Sequence, residues 1–77
     1  MIVRTLDARG LNCPLPLIRA RHELAAMTAG ETLIVLATDP EAPIDLGAWA
    51  AEEGHQLELR RREGWSEFEL VKGSAAG

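Results

Sequence analysis

Thr32-Leu33-Ile34-Val35-Leu36-Ala37 is apolar along nearly its whole length, with no polar alternation. Such a pattern suits a central strand with little exposure to water. This run therefore predicts a central strand over 32–37, and the rest of the chain must supply its cover. The chain has 77 residues, room for one domain, and a domain of that size buries only about 60–65% of its unfolded surface. One cysteine permits no disulfide within the chain, and His22 and His55 stand alone, without a second cysteine at zinc spacing. The apolar core has to hold the fold, and a hydrophobic content of 47% permits that.

The flanking segments read as suitable cover. A β-branched stretch predicts a first strand over 2–6. Asp7-Ala8-Arg9-Gly10 follows, with Asp and Gly at the ends of a type I turn. A helix is expected over 14–28, because Leu17, Ala20, Leu24 and Met27 fall at helical spacing, flanked by Ile18 and Ala25. Arg19, His22, Glu23 and Ala26 then face outward. Arg19 and Glu23 are four apart, in the less favourable order for an ion pair. Gly30 supplies a stop. Beyond the central strand, Thr38-Asp39-Pro40-Glu41-Ala42-Pro43 is rich in turn formers. It offers Asp39 and Asp45 as caps for a second helix ending near Glu53, and Asp45 is favoured because Pro43 fits poorly inside a helix. Gly47 weakens that helix and Gly54 ends it. Leu57 and Leu59 alternate with Gln56, Glu58 and Arg60, which predicts a third strand over 55–62. Glu63-Gly64 makes a turn, and Phe68 and Leu70 alternate with Glu67 and Glu69 in a fourth strand ending near Lys72. The order β-α-β-α-β-β predicts an α/β two-layer sandwich. Its four-stranded mixed sheet carries two helices on one face, with right-handed crossovers and an antiparallel final hairpin.

Charge and composition narrow the function classes. The formal charge is −4, the pI about 5.0 and the aromatic content 4%. An acidic chain does not neutralise phosphates, and few aromatics leave little surface for base stacking, so direct nucleic-acid binding is disfavoured. No apolar run approaches the ~20 residues of a membrane span. Met1-Ile2-Val3-Arg4-Thr5 lacks the apolar segment of a signal peptide. A single unpaired thiol suits a reducing cytoplasm. Gly73-Ser74-Ala75-Ala76-Gly77 has nothing to add to a core and predicts a disordered tail.

The chemistry-bearing residue is Cys13, in Gly10-Leu11-Asn12-Cys13-Pro14-Leu15-Pro16. Taking Cys13 as N-cap puts Pro14 at the first helical position, where its fixed φ and missing N–H suit it, and Pro16 at the third. Of the four amides left unpaired at a helix start, two then carry no hydrogen. The amides of Cys13 and Leu15 remain, both close to the sulfur. A helix N-terminus favours negative charge by roughly 0.3–2 kcal/mol, which brings a thiol from about 8.5 to about 7–8. Cys13 is thus expected to be a nucleophile, with Gly10, Pro14 and Pro16 shaping the helix start. Arg9 and Arg19 are candidates for positive potential near the sulfur. The plain alternative is a cysteine acting as a small buried hydrophobe, but such a residue would sit in an apolar stripe rather than at a cap.

Leu6-Asp7-Ala8-Arg9-Gly10-Leu11-Asn12-Cys13-Pro14-Leu15-Pro16 resembles the Cys-Pro-x-Pro signature of the TusA/SirA-like sulfur-carrier (sulfurtransferase) family. The resemblance continues through Gly30-Glu31-Thr32-Leu33, Asp39-Pro40, Asp45-Leu46-Gly47-Ala48-Trp49 and Gly54-His55-Gln56-Leu57. It implies a single domain over 1–72 with the fold read above. It also implies a catalytic Cys13 that holds sulfur as a persulfide. The implied donor is a cysteine desulfurase or rhodanese-like protein, and the implied acceptor is a protein of tRNA thiolation, molybdenum-cofactor or sulfur-oxidation relays. No cofactor and no metal is implied. Two departures bear on the partner and the mechanism. Leu15 stands where the tRNA-thiolation member resembles Cys-Pro-Glu-Pro, so the docking surface beside the thiol differs. Gly47 and Ala50 stand where many relatives have a proline and a second cysteine, so no resolving thiol lies within this chain.

The remaining residues of note have plain explanations. Asp7 reads as a turn former, Trp49 and Trp65 as packing residues, and neither His22 nor His55 as a base for Cys13. Arg60-Arg61-Arg62 is a basic cluster, but strand alternation turns Arg61 away from its neighbours. A non-catalytic regulatory or protein-interaction module with a structural cysteine is the alternative function, and slow, denaturant-dependent thiol alkylation would favour it.

Overall fold

A computed structural model describes residues 2–73 and places the elements in the expected order: β1 (Val3–Ala8), α1 (Leu15–Ala25), β2 (Thr32–Ala37), α2 (Ala42–Glu53), β3 (Gln56–Arg61) and β4 (Ser66–Val71). The sheet order is β1-β2-β4-β3. β1 runs parallel to β2, and β4 runs antiparallel to both β2 and β3. The apolar run 32–37 is thus an interior strand, and the sheet is mixed. β4 lies between β2 and β3, so the connection through α2 steps over one strand position.

Register decides which side of the sheet is dry. Leu6, Val35, Phe68 and Leu59 pair across the four strands, as do Leu33, Leu70 and Leu57. Directly opposed residues share a face. On this face Leu33, Val35, Phe68 and Leu70 are completely buried, and both helices lie over it. α1 contributes Pro16, Ala20 and Leu24, and α2 contributes Ala42, Leu46 and Ala50. Each is a stripe with a step of four residues, which is one row along a helix surface. The other face of the sheet carries Val3, Glu67, Glu69, Glu58 and Arg60 toward water. There Arg60 bridges Glu58 and Glu69.

Several boundaries differ from expectation, each for a local reason. β1 continues to Ala8, and the turn after it is Ala8-Arg9-Gly10-Leu11, closed by the Leu11 N–H to the Ala8 carbonyl at 3.2 Å. Gly10 has φ +84, which makes this a type II turn, the type that needs glycine at its third position. The turn expected at Asp7 therefore lies one residue further on, and Asp7 is a strand residue. In α1 the buried stripe starts at Pro16, Leu17 is half-buried, and Ile18 and Ala25 are exposed. The helix stops at Ala25 because the N–H groups of Ala26 and Met27 reach back three residues, to Glu23 and Leu24. That tightening closes the last turn early.

α2 begins at Ala42 with Pro43 in its first turn, so Asp45 is not the cap. Pro43 is harmless there, because a first-turn amide has no intrahelical partner to lose. Gly54 does end α2, with φ +78 in the left-handed region that glycine adopts freely. Of the tail expected over 73–77, residues 74–77 lie outside the described residues. Gly73 is ordered by its N–H donating to His55 Nδ1 at 2.9 Å.

Candidate functional site

β1 and β2 are parallel, so the loops that follow them emerge at the same end of the sheet. One carries Cys13, and the other carries Thr38 and Asp39. Two hydrogen bonds tie them together. The Gly10 N–H donates to Thr38 Oγ1 at 2.9 Å, and the Cys13 N–H donates to Asp39 Oδ2 at 2.6 Å. The other oxygen of Asp39 accepts the Glu41 N–H at 2.7 Å, so its carboxylate is held from both sides. Cys13 is exposed. The Cys13–Pro14 peptide bond is cis. We expect Asp39→Ala to lose about 1–2 kcal/mol, the worth of a cap-like carboxylate with two backbone donors. A melting temperature within 1–2 °C of wild type would contradict this anchoring role.

The electrostatics around the sulfur are the reverse of the sequence expectation. Pro14, not Cys13, is the N-cap of α1, and Pro16 sits at the second helical position. The two amides expected to serve the sulfur are both occupied: that of Cys13 by Asp39, and that of Leu15 by the Asn12 carbonyl at 2.8 Å. The thiol donates to Asp45 Oδ2 at 2.9 Å. This hydrogen bond, with desolvation and the negative charges of Asp45, Asp39 and Glu41, pushes the Cys13 pKa up from 9.0 to about 11. A helix dipole worth at most about one and a half pKa units is outweighed. The thiol is therefore protonated at neutral pH.

Neither candidate cation is among the charges that act on the thiol. Arg9 grips Asp7 with two bonds, at 2.8 and 2.9 Å, and its guanidinium stands 5.1 Å from the Trp65 ring centroid. The pairing holds the Asp7 carboxyl at about 2. Asp7 also accepts the Arg9 backbone N–H at 3.2 Å, an Asx turn, so it shapes the start of the loop as well as orienting Arg9. Arg19 is exposed on α1 and makes no ion pair or side-chain hydrogen bond among the described residues; Glu23, its expected partner, pairs with Arg4 at 3.1 Å. Leu15, beside the thiol, is 45% exposed. His55 packs against Trp49 at 5.2 Å, and burial lowers its pKa. It follows the end of α2 opposite to Asp45, so it is no base for the thiol. Among the described residues no cluster of His, Cys, Asp and Glu could hold a metal, and no helix is long and apolar enough to cross a membrane.

Thr38, Asp39 and Asp45 are the site residues that sequence reasoning missed. In local sequence Asp39 and Asp45 look like helix caps, and no neighbouring residue signals that their carboxylates reach across to the Cys13 loop. Their place in the resemblance, as Asp39-Pro40 and Asp45-Leu46, was the available signal.

The family model described as Sulfurtransferase TusA matches residues 4–72. The chain belongs to the TusA family. The sulfur carrier protein TusA of Allochromatium vinosum is 46% identical over 69 residues, covering 90% of this chain and 91% of that protein. The crystal structure of a SirA-like protein from Desulfitobacterium hafniense superposes with a TM-score of 0.81 at 34% identity, covering 92% of this chain and 99% of that one. The fold read from the sequence is therefore shared with that SirA-like protein, and membership of the TusA family supports a sulfur-carrier role.

Proposed function

We propose that Cys13 accepts sulfane sulfur as a persulfide and hands it to a downstream acceptor. The observation that carries this reading is an exposed cysteine, held at the helix start by two cross-loop hydrogen bonds, in a chain of the TusA family. In the first step the Cys13 sulfur bonds to the outer sulfur of a donor persulfide. The donor's S–S bond breaks, and the thiol proton passes to the departing donor thiolate. In the second step an acceptor thiol's sulfur bonds to the outer sulfur, the Cys13 S–S bond breaks, and the acceptor's proton passes to the departing Cys13 thiolate. Both are sulfur-for-sulfur exchanges of the thiol–disulfide type and need no external oxidant. A cysteine desulfurase or a rhodanese-like protein fits the donor, and a thiol-bearing protein fits the acceptor. Gly10 supports the loop, and Pro14 and Pro16 start the helix. Leu15 offers an apolar contact for a partner, and neither Arg9 nor Arg19 is among the charges that act on the sulfur.

Loading the protein with a cysteine desulfurase and cysteine, followed by intact mass, tests the proposal. Wild type is expected to gain one sulfur atom (~32 Da), and Cys13→Ser to gain none. No gain on wild type, or an equal gain on Cys13→Ser, would refute it. A non-catalytic interaction module remains the second reading, favoured by the protonated state of the thiol. Alkylation rate alone does not separate the two, because Asp45 slows an exposed thiol as burial would. The loading experiment does.

A further inference from the structure

We infer that Asp45 is a positioning residue that distinguishes the empty carrier from the loaded one, holding the thiol form and disfavouring the persulfide form. The inference rests on the reading that Cys13 carries sulfur as a persulfide. In the empty state the sulfur has a hydrogen to give, and Asp45 Oδ2 takes it at 2.9 Å. A bond to an ionised acceptor is roughly twice as strong as a neutral one. In the loaded state the inner sulfur is bonded to carbon and to the outer sulfur. It carries no hydrogen, so this bond is lost.

The outer sulfur finds no substitute. Persulfides are more acidic than thiols, so it is largely anionic at neutral pH, and three carboxylates already act on this position: Asp45, Asp39 and Glu41. Among the described residues no ion pair neutralises any of them. Asp39 cannot turn away, because the amides of Cys13 and Glu41 hold both its oxygens. Asp45 sits on α2, which Leu46 and Ala50 anchor in the core. The loaded sulfur is therefore pushed off α2 toward solvent. The same preference biases the carrier toward giving its sulfur up.

The exchange written above is Cys13–SH with R–S–SH giving Cys13–S–SH with R–SH. Its equilibrium constant can be measured against the couple of glutathione persulfide and glutathione at neutral pH. The loaded fraction is read by intact mass at a fixed ratio of the two. An equilibrium constant does not depend on how the small donor approaches, so charge steering drops out. Asp45→Asn keeps the shape and removes the charge, and we expect it to shift the constant about tenfold toward the loaded form. Melting temperature serves as the check on folding, and Asp45→Ser takes the same measurement should the Asn variant fail to fold. A constant within twofold of wild type, in a folded variant, overturns the inference and leaves the carrier reading standing. Absence of any persulfide on wild-type Cys13 removes both.

Discussion

Iodoacetamide is expected to modify Cys13 about tenfold more slowly at pH 7.5 than it modifies an ordinary exposed cysteine, and Asp45→Asn is expected to restore most of that rate. The sulfur is exposed, so access does not limit the reaction. Protonation does. A pKa moved from 9.0 to about 11 lowers the thiolate fraction about a hundredfold at this pH. The more basic thiolate is also the better nucleophile, with a Brønsted slope of about 0.4–0.5. Over two pKa units that returns close to a factor of ten, and the net deficit is about tenfold. The pH profile is the sharper readout. The wild-type rate should keep climbing past pH 10, whereas the Asn variant should level off nearer 9. The sign extends to stability, because a thiol held protonated by the fold favours the folded state below its unfolded pKa. That contribution fades as the pH rises from about 9 to about 11. A wild-type profile that flattens below pH 9, unchanged by Asp45→Asn, would show that the carboxylate does not govern this thiol.

Phe68→Ala is expected to destabilise the fold by about 3–5 kcal/mol. Phe68 is the single phenylalanine, is fully buried, and pairs with Val35 on one side and Leu59 on the other. Its ring fills the interior of a sheet covered on that side by two helices, and neighbouring strands cannot collapse into the space it leaves. A domain of this size has roughly 4–12 kcal/mol in all. The loss would lower the melting temperature by about 15–30 °C, or leave the chain largely unfolded at 37 °C. Ile44→Ala is the control: Ile44 is 65% exposed, and its removal should cost less than about 0.5 kcal/mol. Equal melting shifts for the two variants would mean that the dry face has been misassigned.

The amino-acid sequence alone determined the element order and the fold class. The uninterrupted run at Thr32–Ala37 marked an interior strand, and the helical and alternating patterns around it gave the order; the helices cover only its Leu33 and Val35 face, and Ile34 and Leu36 on the other are half-buried. These are local periodicities, and local periodicity is what side-chain spacing encodes. It also singled out Cys13. Sheet order was decided elsewhere. The third and fourth strands alternate alike, and only packing shows that Phe68 and Leu70 lie in the interior while β3 takes the edge. The character of the thiol was decided by tertiary structure as well. Read locally, a helix start beside a cysteine promises an acidic thiol. In the folded chain, parallel β1 and β2 bring Asp39 and Asp45 from the neighbouring loop and helix onto that sulfur, 26 and 32 positions along the chain. Electrostatic interactions act through space at a few ångströms, and no pattern of nearest neighbours in sequence records which charges the topology will bring together.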